Sequence, residues 1–313
     1  MKKIPGAPAI FCGRDTELDQ LGTAFLSRRV ILLHCDSGYG KTSLALTFAN
    51  QLNMQDSYLD QVIWVTCKPG WTISDLAESA TRQIFQLLGK SELISTTAGH
   101  SSQSIIEIIE KNCLILFIDN LHLLPDDVAV SFAMEGVSRL DLGRLFISTR
   151  KLPEFKEKKR NSLLRIALTG LDLQGTTAFL NKLAALHCLE PIEAQISSAI
   201  HASTSGHPFA VKLLFNRYLE DQAGLQTVLS SPGGGPEAIV SRITAQRWHA
   251  LSPEGREVLE KLAILRASVG TDFLSDNESE ELKKTMRNLV SSYLVENDSE
   301  GNFYLHVMIR EFV

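Results

Sequence analysis

One short segment constrains the chain more than any other: Ile31-Leu32-Leu33-His34-Cys35-Asp36-Ser37-Gly38-Tyr39-Gly40-Lys41-Thr42-Ser43. An apolar run enters a glycine-containing turn, and the helix-forming stretch Ser43-Leu44-Ala45-Leu46-Thr47-Phe48-Ala49 follows at once. Strand, turn and helix in that order make a phosphate cradle. Gly38 and Gly40 accept positive φ, so successive backbone N–H groups can turn inward around a phosphate at the helix N-terminus. Ser37 to Ser43 would line the cradle, with Lys41 reaching the β- and γ-phosphates and Thr42 placing its hydroxyl on Mg²⁺. The pattern G-x-x-x-x-G-K-[ST] asks for glycine where this chain has Cys35. A side chain there is expected to reshape the turn or weaken binding. The competing explanation is a chance Gly-Lys-Thr at a helix start, and the flanking strand and helix argue against it.

Short apolar runs at Val30–His34, Val62–Cys67, Leu114–Ile118, Leu145–Ser148 and Leu164–Leu168 are rich in Val, Ile, Leu and Phe and predict strands buried on both faces. Helical patterns at Lys41–Asn53, Ile73–Leu88, Ser102–Lys111 and Asp127–Leu140 fall between them. The alternation predicts an α/β fold: a parallel sheet flanked by helices, with ligands bound at the carboxyl ends of the strands. Beyond Leu168 residues 173–220 are helical in period, broken at Glu190-Pro191 and Gly206-His207-Pro208, up to the loop Ser230-Ser231-Pro232-Gly233-Gly234-Gly235-Pro236. Helices at about 238–250, 252–265 and 279–292 follow, then a hairpin of Tyr293–Glu296 and Phe303–His306. Three helices and a small hairpin are the pattern of a winged helix. The expected domains are residues 1–170 (α/β), 171–235 (helical) and 236–313 (winged helix). The chain ends just after the amphipathic Met308–Val313, as an element cut short would.

The strand Leu114–Ile118 runs into Asp119-Asn120, which sets a carboxylate at the sheet's carboxyl edge opposite the cradle, able to hold a water of the Mg²⁺ shell. The plain alternative is an aspartate that caps the following turn. Asn120 stands where many ATP-hydrolysing machines place a glutamate, and an amide cannot take a proton, so hydrolysis is expected to be slow at most. Arg150, after Phe146-Ile147-Ser148-Thr149, either forks onto a γ-phosphate or is a solvated arginine at the start of a basic loop. The run Lys156-Glu157-Lys158-Lys159-Arg160 lacks interleaved aromatics and reads as a solvated surface.

Composition removes several function classes. Charged residues are 21% of 313 and the net charge is −5, so no global field favours nucleic acid or an anionic membrane. The five cysteines, at 12, 35, 67, 113 and 188, have no metal-ligand spacing and read as reduced thiols of a cytoplasmic protein. No apolar run is long enough to span a membrane, and no apolar stretch follows the N-terminal lysines.

These residues together resemble a STAND ATPase of the NB-ARC type, the class of nucleotide switches in plant disease-resistance proteins, apoptosis scaffolds and bacterial regulators and defence proteins. Phe11-Cys12-Gly13-Arg14-Asp15-Thr16-Glu17-Leu18-Asp19-Gln20-Leu21 is similar to the family's F-x-G-R-x-x-E-L-x-x-L lead-in. Ser37–Thr42 resembles G-G-I-G-K-T, Asp119-Asn120 resembles D-D or D-N, and Ser148-Thr149-Arg150 resembles the T-T-R sensor. Gly206-His207-Pro208-Phe209-Ala210 is similar to G-L-P-L-A, and Tyr304–Phe312 looks like the winged-helix segment that carries a histidine. The resemblance implies that Gly13-Arg14 lies by the adenine, that Pro208 packs on it, and that His306 reaches the ADP β-phosphate and holds a closed state. On its own residues His306 would be a half-buried histidine beside a hairpin, and His207, in place of the usual leucine, could also stack on a base. The implied function is an ADP/ATP- and Mg²⁺-dependent switch that opens on exchange and forms a homo-oligomer, with effector and sensor outside this core. Two rivals are a DNA-binding regulator using the winged helix and a motor-type ATPase of the AAA+ group. Glu278, Glu280 and Glu281 at the start of the basic helix oppose the first, and Asn120 opposes the second.

Overall fold

A strand apolar on successive residues has to be covered on both faces. A computed structural model of the chain, describing residues 4–58, 60–89, 102–150, 162–230, 235–265, 268–270, 280–297 and 301–313, shows how this is done. Five strands, β1 (Val30–His34), β2 (Val62–Thr66), β3 (Ile115–Asp119), β4 (Arg144–Thr149) and β5 (Leu163–Ala167), form one parallel sheet in the order β2-β3-β4-β1-β5. Alternate residues of β1 enter different layers. Val30 and Leu32 pack with α3 (Ile73–Leu87), α4 (Ser102–Lys111) and α5 (Asp126–Arg139), whereas Ile31 and Leu33 pack with α1 (Asp15–Ser27) and α2 (Lys41–Asn53). Aromatic rings thicken the second layer, with Phe117 stacked on Phe146 at a centroid distance of 4.7 Å.

All five expected strands form, but the expected burial on both faces fails for β5. Leu163 and Leu164 are only half-buried and Arg165 is exposed on β5, which pairs with β1 alone, whereas the other edge strand, β2, is buried over Val62–Val65. Parallel register brings the carboxyl ends of the strands into line: His34 lies opposite Thr149 and Ala167, and Thr66 opposite Asp119. Everything the sequence marks as chemical at strand ends therefore lies along one edge. This α/β unit comprises residues 1–36 and 41–168.

The second compact unit comprises residues 169–313 together with the loop Ser37–Gly40. Its helices are α6 (Leu173–Leu186), α7 (Ala194–Thr204), α8 (Pro208–Glu220), α9 (Gln222–Ser230), α10 (Pro236–Ala250), α11 (Pro253–Leu265) and α12 (Glu280–Ser291), followed by α13 (Val307–Arg310). The breaks at Glu190-Pro191 and Gly206-His207-Pro208 separate α6, α7 and α8, with Pro208 at the first turn of α8. A hairpin of β6 (Glu296–Asn297) and β7 (Phe303–Tyr304) precedes α13, and Val269 bridges to Phe303 on the hairpin's other side. Among the described residues two on each strand pair, so Tyr293–Val295 and Leu305–His306, which the sequence pattern assigns to the hairpin, lie outside its strands. Polar contacts tie it inward: the Lys212 ammonium lies 2.6 Å from the Glu296 carboxylate, and Arg247 donates to Asn216 Oδ1 and to the Ser292 carbonyl. The basic loop 156–160, loop residues 231–234, residue 279 and the hairpin tip 298–300 lie outside the described residues. Among the described residues no helix is long and apolar enough to cross a membrane.

Candidate phosphate-binding site

The cradle grows from the junction of β1 and α2. Gly38 and Gly40 take φ values of +79° and +88°, the conformations for which the turn requires glycine. Cys35 is not in the left-handed region, so the missing glycine costs no backbone strain, and its N–H donates to the Thr149 carbonyl at 3.4 Å. The backbone at position 35 therefore accommodates a side chain.

Lys41, 7% exposed, donates from Nζ to the carbonyl oxygens of Cys35 and Asp36, each at 2.7 Å, and lies 3.6 Å from Cys35 Sγ. Burial draws its ammonium below the ordinary lysine range, opposed by Cys35, and the nearby charge of Arg150 pushes the same way as burial. Cys35 is shifted upward, chiefly by its own burial. Thr42 begins the exposed side of the same helical turn, and its hydroxyl donates to both carboxylate oxygens of Asp119, at 3.0 and 2.9 Å.

Asp119 is 2% exposed and sits at the last position of β3. Burial raises its carboxyl above the usual range, and hydrogen bonds from Ser148 and Thr42 together with the Lys41 charge oppose that rise. Ser148, on β4, donates its hydroxyl to Asp119 Oδ1 and accepts the N–H of Asn120 at 3.1 Å. Asn120 adopts φ +60°, and its amide Nδ2 donates back to Asp119 Oδ2 at 3.3 Å. The side chain is thereby turned onto its neighbour's carboxylate. The Thr42 hydroxyl and the Asp119 carboxylate offer hard oxygen ligands of the kind that suit Mg²⁺. Among the described residues no group of three or more His, Cys, Asp and Glu is placed to hold a metal ion.

The remaining expected residues distribute as follows. Arg150 directly follows β4, half-buried, within electrostatic range of Lys41. Gly13 takes φ +68° ahead of α1, and Arg14 beside it is 4% exposed, paired with Glu17 at 2.6 Å. Ser43, in the first turn of α2, accepts the Thr47 hydroxyl on its carbonyl at 2.9 Å. In the second unit, His306 caps α13 by accepting the Met308 N–H at 3.3 Å, and its ring stacks on Phe209 with centroids 3.7 Å apart. His207 shows 0% exposure, so no face of its ring is open to a base. The sequence motifs contain Ser148 and Phe209 but give no sign of the Ser148 contact with Asp119, which spans 29 positions, or of the Phe209 stack on His306.

No family model matches the sequence, and no curated protein does. Among solved structures, a Signal Transduction ATPase with Numerous Domains (STAND) protein with a tetratricopeptide repeat sensor, from Pyrococcus horikoshii, is similar over 99% of this chain at 18% identity, with a TM-score of 0.72. This chain spans 43% of that protein's length. A Walker-type ATPase of Pyrococcus abyssi is similar over 98% of this chain and 97% of its own, at 15% identity and a TM-score of 0.55. The fold is that of the P-loop ATPases. Five parallel strands with β1 feeding the glycine turn and β3 ending in aspartate are what place Lys41, Thr42 and Asp119 on one edge.

Proposed function

We propose that the chain is the ADP- and ATP-binding switch core of a STAND-type signal-transduction or defence protein, closed with ADP and opened on exchange for ATP. The observation that carries nucleotide binding is the Thr42 hydroxyl on the Asp119 carboxylate, at 2.9 and 3.0 Å, beside a buried Lys41 at the end of β1. A hydroxyl and an acidic carboxyl brought together across 77 positions, at the start of a helix that follows a glycine turn, are the pieces that hold Mg²⁺ on a phosphate. The likeness to a STAND protein supports the finer reading, in which residues 1–170, 171–235 and 236–313 are nucleotide-binding, helical and winged-helix domains.

In this reading the Lys41 ammonium, released from the carbonyls of Cys35 and Asp36, binds the β- and γ-phosphate oxygens. The Thr42 hydroxyl and the Asp119 carboxylate are the groups that would hold Mg²⁺. A bound Mg²⁺ would neutralise the developing phosphate charge. A nearby cation also favours the carboxylate form of Asp119, which burial alone opposes. Arg150 reads the γ-phosphate. Asn120 contributes no proton acceptor, so ATP turnover is slow and the bound nucleotide acts as a state label. The ligand can shift open and closed populations only by its differential affinity for them, and His306 is the candidate for that difference. The cytoplasm is the proposed compartment, a homo-oligomer the proposed active form, and the effector and sensor partners lie beyond this segment.

Mass spectrometry of the nucleotide released when the purified protein is denatured tests this. ADP or ATP at near-stoichiometric amounts is the expected result, and a guanine nucleotide or none, even after incubation with MgADP, would overturn it. A steady turnover of several per second would favour the motor-type ATPase instead.

A further inference from the structure

His207 occupies the position where the G-L-P-L-A pattern has leucine, and both of its ring nitrogens are engaged. Nδ1 accepts the N–H of Ala210 at 3.2 Å, which caps α8, and Nε2 lies 2.8 Å from the carbonyl oxygen of Ser37. A ring nitrogen that accepts from a backbone N–H carries no proton, so in the neutral imidazole the proton is on Nε2 and that atom donates to Ser37. The next carbonyl of the loop is held as well, because the Phe209 N–H donates to Gly38 O at 3.3 Å. Tyr39 sets its ring edge-on to His207 with centroids 4.4 Å apart. A Cβ added to Gly38 would come within 2.3 Å of His207 Cε1, so glycine is required here by the histidine as well as by φ.

The consequence follows from the planarity of the peptide. In a trans peptide the C=O and N–H of one unit point in opposite directions. Holding Ser37 O toward the start of α8 turns the Gly38 N–H away from it, and holding Gly38 O does the same for the Tyr39 N–H. Those are the inward N–H groups that a phosphate nest uses. We propose that His207 is a positioning residue for phosphate: its Nε2–H, with the Phe209 N–H, fixes two peptide planes of the loop so that Gly38 and Tyr39 present their N–H groups to a bound phosphate. The inference rests on the nucleotide-binding reading above and assigns to His207 the phosphate and not the base.

The test compares His207→Asn and His207→Gln with the parent in the full chain. Asparagine keeps an acceptor for the Ala210 N–H and is among the best helix caps, but its amide is too short for Ser37. Glutamine places an amide N–H near the reach of Nε2. Calorimetry with MgADP and competition with AMP separate the β-phosphate from the rest of the ligand. His207→Asn is expected to weaken ADP about tenfold, the scale of one lost hydrogen bond to a buried acceptor, and to leave AMP within about twofold. His207→Gln is expected to recover most of the loss. Equal ADP affinity in His207→Asn and the parent, or an equal loss for ADP and AMP, overturns the inference while leaving the nucleotide site in place. A parent that binds neither overturns the nucleotide reading and the inference with it.

Discussion

Ser148→Ala removes a single hydroxyl at the end of β4, and the structure says the loss is felt twice. The Asp119 carboxylate loses a donor, and the Asn120 N–H loses the acceptor it meets at 3.1 Å. A hydrogen bond to a charged group is worth about 1.5 to 3 kcal/mol and an unsatisfied buried N–H costs about 1 to 3 kcal/mol. The two overlap, because Thr42 and Asn120 Nδ2 still donate to the carboxylate, so the expected loss at neutral pH is about 2 to 4 kcal/mol. For a unit of this size that lowers the melting temperature by about 5 to 15 °C. The deficit also depends on pH. Burial raises the Asp119 carboxyl above its ordinary range, so its contribution to stability is present below the unfolded value of about 3.9 and is lost as pH rises through the folded one. Removing a donor to the carboxylate raises the folded value further, so the variant falls further behind the parent at pH 8 than at pH 4. Urea unfolding followed by the fluorescence of Trp64 and Trp71, both in the α/β unit, in a Trp248→Phe background, measures this at each pH. A loss below about 0.5 kcal/mol at pH 8, the level of an ordinary surface substitution, or the same loss at both pH values, would refute the reasoning.

Lys41→Ala should weaken ADP by about 2 to 4 kcal/mol, the loss of a charge-assisted pair in a site where Lys41 is buried, and unchanged affinity in calorimetry would end the nucleotide reading. Asp119→Ala should abolish the Mg²⁺ dependence of ADP binding while retaining binding without metal; titration with and without Mg²⁺ decides, and an undiminished Mg²⁺ effect would remove Asp119 from that role. His306→Ala should speed ADP release by about five- to 150-fold, as the loss of about 1 to 3 kcal/mol of coupling implies, and enlarge the radius of gyration in solution scattering. Parental off-rates and scattering would leave His306 as the cap of α13 and the ring partner of Phe209 and nothing more.

Whatever depends on neighbouring residues was legible in the sequence. The strands β1 to β4, the helix Lys41–Asn53 and the breaks before α7 and α8 follow from local periodicity and from glycine and proline, which act within a few residues. The cradle was legible for the same reason, since Gly38, Gly40, Lys41 and Thr42 are consecutive or nearly so. Even Asp119 could be placed opposite the cradle, because a parallel sheet puts every strand's carboxyl end on one edge.

What only the tertiary structure decided lies in contacts between distant positions, where sequence spacing carries no information. The Ser148 hydroxyl on Asp119 depends on β3 and β4 being neighbours in the sheet, and a serine at a strand end gives no local sign of it. Arg165 of β5 is exposed, although its run of residues reads like the central strands, because how much of a strand the layers cover is set by the tertiary packing. The bond from His207 to Ser37 spans 170 positions, and burial of the ring is what turns a residue that resembled a stacking surface for a base into a hydrogen-bond donor to the loop. Cys35 shows the same division: its identity broke the motif, and only the structure shows that no positive φ is required there.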